Sequence, residues 1–205
     1  MMFRCRDRIG GSFSATRGLC GGVQRGEGLF WSGLYNVLLI FAAVFAVPFY
    51  GAKMALTGKY RRSLGPKFGR LTPETVSRME GEPRIWLHAV SVGEVTAAAP
   101  IVTALRSRFP GACIVLSTST ETGQEMARKL ATDATVHIYY PLDIPCVVRK
   151  VIDLVRPDVF VPVETELWPN FIRLCRARGT RIVMVNCRIS PRSYRRYRAT
   201  RFFWK

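Results

Sequence analysis

The sequence is short of acid. Asp and Glu total 14 against 31 Lys and Arg, so 205 residues carry a formal charge of +17. Beyond Glu166 no acid occurs, while eleven Lys and Arg follow. Such an excess demands an anionic neighbour: nucleic acid, an acidic membrane face or a phosphorylated substrate. Histidine is scarce, with only His88 and His137. The six cysteines (Cys5, Cys20, Cys113, Cys146, Cys175, Cys187) stand singly, with no C-x-x-C pair. That pattern argues against a zinc site or a disulfide framework and for reduced, mostly buried thiols, as in a cytosolic domain. There is no Gly-X-Y period and no sustained heptad, which excludes a collagen-like or coiled-coil rod. No G-x-G-x-x-G is present, so dinucleotide binding has no fingerprint. What is plentiful is apolar: 48% of the residues are hydrophobic, which excludes wholesale disorder. The length suits one domain of about 120–150 residues with extra segments.

Charge is also absent from residues 29–52, and this gap divides the chain. Residues 1–28, rich in Gly and Arg with only Asp7 and Glu27 as acids, read as a disordered tail. A targeting peptide and a start assigned too far upstream are the alternatives. Residues 29–52 read as a membrane-anchor helix. Val37 to Val47 is continuously apolar, and Trp31, Tyr35, Phe49 and Tyr50 sit near its ends as interfacial aromatics do. A helix lying in the interface and a signal peptide are the competing readings, since Ser32, Gly33, Asn36 and Pro48 weaken the run. Residues 53–83 read as a basic juxtamembrane linker: Lys53, Lys59, Arg61, Arg62, Lys67 and Arg70 precede Glu74, the first acid of the stretch. Positive-inside bias puts that side in the cytoplasm, where it would meet anionic headgroups.

Residues 84–205 read as the folded domain. Apolar, β-rich runs occur at Ile85–Val90, Ala112–Ser117, Thr135–Tyr140, Val159–Glu164 and Arg181–Asn186, with starts 27, 23, 24 and 22 residues apart. Helical patterning fills the gaps at Val95–Arg108, Thr122–Ala131, Ile144–Val155 and Trp168–Arg178. Runs that are apolar throughout mark strands buried on both faces. The expectation is an α/β fold, a Rossmann-like parallel sheet sandwiched by helices.

In such a sheet, function collects at the carboxyl ends of the strands. The first run ends in a glycine turn and Glu94. That residue is either a glutamate stabilised by the helix dipole or a functional base. His88, inside the run, reads as a satisfied core histidine. The second ends in Ser117-Thr-Ser-Thr-Glu-Thr-Gly123, with more hydroxyls than one helix cap needs. Asp143, after the third, reads as a helix cap. The fourth carries Glu164 and Glu166, which share a face while the chain stays extended, held either by arginines or for a function. After the fifth, basic and aromatic residues interleave, a pattern that suits RNA or an anionic membrane.

Together these segments carry a resemblance. His88-Ala-Val-Ser-Val-Gly-Glu94, Thr120-Glu-Thr-Gly123, Glu164-Thr-Glu-Leu-Trp-Pro-Asn170 and Asn186-Cys-Arg-Ile-Ser190-x-Arg-Ser193 resemble, in order, the N-terminal half of the 3-deoxy-D-manno-octulosonic acid (Kdo) transferases of lipopolysaccharide biosynthesis. The similarity runs from about residue 31 to 205 and includes Leu64-Gly-Pro-Lys-Phe-Gly69. It implies an inverting, metal-independent, cofactor-free GT-B glycosyltransferase that moves Kdo from CMP-Kdo to a lipid A precursor at the cytoplasmic face of the bacterial inner membrane. It implies Glu94 as general base and Glu164 as support for the transition state. Ser91, Gly93, Thr120, Thr122, Gly123, Glu166, Asn186, Arg188, Ser190 and Ser193 become substrate-binding expectations. Cys187 departs from the family's usual small residue. The donor-holding second domain is not within these residues, so the expectation is a chain that binds acceptor without turning over alone. A non-catalytic, membrane-bound module for anionic lipid is the alternative. A nucleic-acid partner is not expected, because it leaves the apolar run and the glutamate pair idle.

Overall fold

The computed structural model describes residues 25–57, 61–164 and 167–187, with side chains described for 32–48, 63–164 and 167–187. Three helices come first: α1 (Arg25–Thr57), α2 (Arg61–Lys67) and α3 (Pro73–Ser77). Then strands and helices alternate: β1 (Arg84–His88), α4 (Val92–Arg108), β2 (Cys113–Thr118), α5 (Glu121–Leu130), β3 (Val136–Tyr139), α6 (Pro145–Val155), β4 (Val159–Pro162), α7 (Pro169–Ala177) and β5 (Arg181–Ile182).

The five strands form one parallel sheet in the order β3-β2-β1-β4-β5. The expected Rossmann-like sandwich is therefore present. Its two faces bury separate cores because strand side chains alternate. Ile85 and Leu87 of β1 point one way, joining Ile114, Leu116, Val95, Ala98 and Val102 beneath α4 and α5. Trp86 points the other way, joining Val115, Val148, Ile152, Phe160, Phe171 and Leu174 beneath α6 and α7. Edge-to-face packing organises the second core, with the Trp86 and Phe171 rings 5.0 Å apart at 89°.

Helix boundaries follow local chemistry. Ser91 and Thr120 cap α4 and α5 with their hydroxyls. Pro145 and Pro169 occupy the first turns of α6 and α7, where no backbone donor is missed. The fourth and fifth strands are shorter than their apolar runs. Their ladder nonetheless continues through Val183 N–H to Phe160 O and Val185 N–H to Pro162 O, reaching the Val163–Val185 bridge. Just past that bridge Glu164 and Asn186 both enter the left-handed region, at φ +71° and +54°, and this ends the extended chain.

The N-terminal segments differ from the sequence reading. Helix α1 begins before residue 29 and ends after residue 52. Residues 53–83, read as a linker, complete α1 and then form α2 and α3. These pack on the sheet: Ser63, Gly69 and Met79 are buried, and Lys67 O accepts Leu142 N–H. The spanning anchor is not found. Among the described residues no helix is long and apolar enough to cross a membrane. The uninterrupted run Val37–Val47 rises only about 16 Å in a helix, roughly half the hydrocarbon thickness. Its flank is nevertheless bare, with Ile40, Phe41, Val44, Phe45 and Val47 all more than three-fifths exposed. The tail before residue 25 lies outside the described residues.

Candidate active site at the sheet's switch point

After β1 the chain winds outward through β2 to β3, then crosses back to β4 and winds the other way. The direction reverses between β1 and β4, and ligands of open α/β sheets bind outside the carboxyl ends at that point. The two strands are tied there by Val163 N–H donating to His88 O at 2.8 Å. Glu94 follows β1 and Glu164 follows β4, so they flank the crevice from its two sides.

Glu94 lies in the first turn of α4 and is 9% exposed. Its carboxylate accepts Val90 N–H at 2.7 Å and the Ser91 hydroxyl at 2.9 Å. Ser91 in turn accepts Glu94 N–H as the helix cap, a variant of the reciprocal capping box. The bonds that cap the helix also fix the carboxylate's direction. One donor per oxygen leaves further lone pairs available to a hydroxyl proton. Beside it, Gly93 is exposed, and a Cβ built there would meet nothing within 4 Å. Among the described residues no neighbour requires glycine at that position, although glycine costs a helix about 0.5–1 kcal/mol relative to alanine.

The hydroxyl-rich turn after β2 supports this loop from beneath. Thr120 accepts Gly123 N–H and donates to Val90 O, the residue whose N–H holds Glu94. Gly123 is needed for that approach, since a Cβ there would lie 2.7 Å from Thr120 Oγ1 and 3.3 Å from Val90 O. Ser117 accepts the Trp86 indole N–H, and Thr118 donates to buried Gln124. Thr122 bonds Thr120 at 3.5 Å. The hydroxyls that looked surplus to capping are largely committed inside the protein. Ser91, Gly93, Glu94, Thr120, Thr122 and Gly123 therefore form one cluster.

Glu164 donates its N–H to Val185 O at 2.9 Å, and its side chain is half-buried. Its positive φ breaks the period-two alternation on which a shared face with Glu166 depended. A non-glycine residue in this region costs on the order of 1–3 kcal/mol, and such strain collects at functional sites. Asn186 turns at the same level of the neighbouring strand. Glu166, Arg188, Ser190 and Ser193, together with the basic, aromatic C-terminal stretch, lie outside the described residues.

Two histidine and carboxylate sites complete the picture. His88 is fully buried, its Nδ1 3.2 Å from Ser117 O, and its ring is stacked on Tyr140 with centroids 3.8 Å apart. Burial pushes its pKa down to about 3, partly offset by the Ser117 bond, so it is neutral. Asp143, expected to cap a helix, does so at a distance: it accepts Asn170 N–H and Phe171 N–H at the start of α7, not of α6. Burial raises its pKa against those bonds. The sequence reading missed its other partner, the Tyr35 hydroxyl of α1 at 2.9 Å. Two cavities of about 510 and 490 Å³ lie elsewhere, at the amino end of β2 and β3, lined by Arg78, Arg106, Arg128 and His137 among others. Arg106 there is committed to the carbonyls of Asp133, Pro110 and Ala112 and to the Thr135 hydroxyl.

Comparison with known proteins gives the family. Residues 62–205 match the family described as 3-Deoxy-D-manno-octulosonic-acid transferase (kdotransferase). A 3-deoxy-D-manno-octulosonic acid transferase of Haemophilus influenzae is 35% identical over 167 residues, covering 82% of this chain and 38% of that protein. One of Chlamydia pneumoniae is 35% identical over 166 residues, covering 80% and 37%. A bifunctional glycosyltransferase/methyltransferase of Fusobacterium nucleatum is 34% identical over 174 residues, covering 84% and 26%. The chain thus spans less than two fifths of the length of these relatives. With the family's pattern matched over more than two thirds of its residues, the chain belongs to the 3-deoxy-D-manno-octulosonic acid transferase family.

Proposed function

We propose that this chain is the acceptor side of an inverting glycosyltransferase that moves Kdo from CMP-Kdo to a lipid A precursor. Glu94 is its general base. The observation that carries this is the carboxylate held by Val90 N–H and Ser91 at the switch point, with open space over Gly93. The acceptor hydroxyl gives its proton to Glu94 as its oxygen forms a bond to the anomeric carbon. The bond from that carbon to the CMP phosphate breaks on the opposite face, which inverts the centre. General-base assistance of this kind contributes about 10²–10⁴-fold. Glu164 places negative charge beside the cationic sugar that develops. No metal takes part in this scheme.

The bare flank of α1 and the basic residues after it hold the chain at the cytoplasmic face of the bacterial inner membrane. In this reading the flank lies in the interface rather than crossing it. The positive charge meets the phosphates of the acceptor. In this scheme these residues supply the acceptor side, and CMP-Kdo is held by a donor-binding half.

The test is binding of a bisphosphorylated lipid A precursor, with the dephosphorylated lipid as control, followed by transfer when a donor-binding half is supplied. Phosphate-dependent binding is expected. Glu94→Gln should bind within about twofold of the wild type and lose at least about 100-fold in transfer. Transfer that survives Glu94→Gln overturns the base assignment. Equal, weak binding of both lipids by a folded chain overturns the acceptor reading.

A further inference from the structure

One polar cluster at the carboxyl end of the sheet takes no part in this chemistry. Asp143, in the loop after β3, is 6% exposed, and Asn170, in the first turn of α7, is 1% exposed. The Asn170 side chain donates one N–H to Asp143 O at 2.7 Å and the other to Asn36 Oδ1 of α1 at 2.8 Å. Asp143 Oδ2 accepts both Asn170 N–H and the Tyr35 hydroxyl, and Oδ1 accepts Phe171 N–H. The N-cap residues of α6 and α7, Ile144 and Trp168, make no side-chain cap bond. Asp143 therefore replaces the missing cap of α7 from another loop, where the helix dipole favours its charge, and its remaining capacity goes to α1.

These bonds join residues 108 and 134 positions apart. They grip α1 at two adjacent residues. On α1, Ser32, Tyr35, Asn36, Leu39 and Ala46 are partly covered, at helical spacing, whereas the residues between 40 and 45 are exposed. Tyr35 and Asn36 of α1 are seated in a polar socket, and the apolar residues 40–45 that follow are exposed. Asn170 is also the sixth residue after Glu164, so the segment that carries one proposed site residue holds the helix as well.

We infer that Asp143 and Asn170 are positioning residues. They lock α1 to the carboxyl end of the sheet and so set how the switch-point site faces the surface in which the apolar flank lies. This rests on the membrane attachment proposed above. A loose helix would leave the chain attached to lipid but its site free to tumble. A short-tethered acceptor headgroup, confined to the bilayer surface, then meets Glu94 less often.

The test perturbs the helix side only, so the domain's own bonds persist: Tyr35→Phe with Asn36→Ala. Spin labels at Ala43→Cys and Lys129→Cys, with Cys5, Cys20, Cys146 and Cys187 changed to Ser, read the helix-to-domain distance in the full chain. The wild type should give one narrow distribution, and the double variant one at least twice as wide. Flotation with phosphatidylglycerol vesicles should be unchanged. Binding of precursor presented in vesicles should fall at least tenfold, and binding of detergent-dispersed precursor should stay within twofold. An unchanged distance distribution overturns the socket. Equal losses in vesicles and detergent overturn positioning in favour of a purely structural role. If the wild type fails to float, the membrane reading falls, and the distance width still decides whether the socket holds α1.

Discussion

Acid should unfold this domain through His88 before the carboxylates are reached. The ring is neutral in the folded state down to about pH 3, because it is buried, whereas an exposed histidine takes a proton near 6.5. Between those values the unfolded chain binds one proton more than the folded one. Stability from this residue is therefore fully present above about pH 6.5 and declines as pH falls towards 3. The slope approaches 1.4 kcal/mol per unit, so about 2 kcal/mol is lost by pH 5 and of order 5 kcal/mol over the whole window. That total rivals the net stability of a domain, about 5–15 kcal/mol. His137, also lowered by burial, adds in the same direction. Asp143, raised by burial, acts in the opposite sense as it takes a proton. His88→Asn isolates the term, since an asparagine Nδ2 can still donate to Ser117 O. The loss of the ring stacked on Tyr140 should cost about 2–3 kcal/mol at pH 7. Urea unfolding in detergent at pH 7, 6, 5 and 4.5 compares the two proteins. The wild-type curve should fall towards the variant's, closing most of the gap by pH 5. Parallel curves would refute the assignment of His88 as the buried neutral base of the fold.

Two glycines of the site should respond in opposite directions. Gly123→Ala puts a methyl group against Thr120 and Val90, and should cost about 1–3 kcal/mol in thermal unfolding as well as misplacing the Glu94 loop. Gly93→Ala meets no atom of the described residues, so it should stabilise the chain by about 0.5–1 kcal/mol while weakening binding of lipid A precursor in a titration. A stabilised variant with undiminished binding would remove Gly93 from the acceptor site. Arg106→Met strips the hydrogen bonds from three carbonyls and a hydroxyl and should lower stability by about 2–4 kcal/mol by denaturant unfolding, leaving acceptor affinity within twofold.

Much of the fold was legible because it rests on local periodicity. Runs such as 112–116 are apolar at every position, which only a strand covered on both faces tolerates, and the helices between them carry their own caps and prolines. The position of Glu94 at the start of a helix was equally local: Ser91, Gly93 and the glutamate lie within one turn. The short fifth strand was less so, since an edge strand's end depends on its single neighbour rather than on its own residues.

What the chain order alone could not decide was which strands lie side by side. The crossover that puts β4 beside β1 brings together two strand ends 74 residues apart, and only the assembled sheet shows that Glu94 and Glu164 follow neighbouring strands. The left-handed turn at Glu164 is likewise enforced by neighbours, because nothing in a glutamate favours it. The hydroxyls of the Ser117–Thr122 turn looked free until Trp86, Gln124 and Val90 were in place to engage them. The socket of Asp143 and Asn170 for Tyr35 and Asn36 joins four polar residues from three distant parts of the chain. The elements and the charge were legible along the chain, since these follow from near neighbours. Tertiary structure decided which residues meet and which are already occupied, because burial turns every unmet hydrogen bond into a cost that only partners from far along the chain can remove.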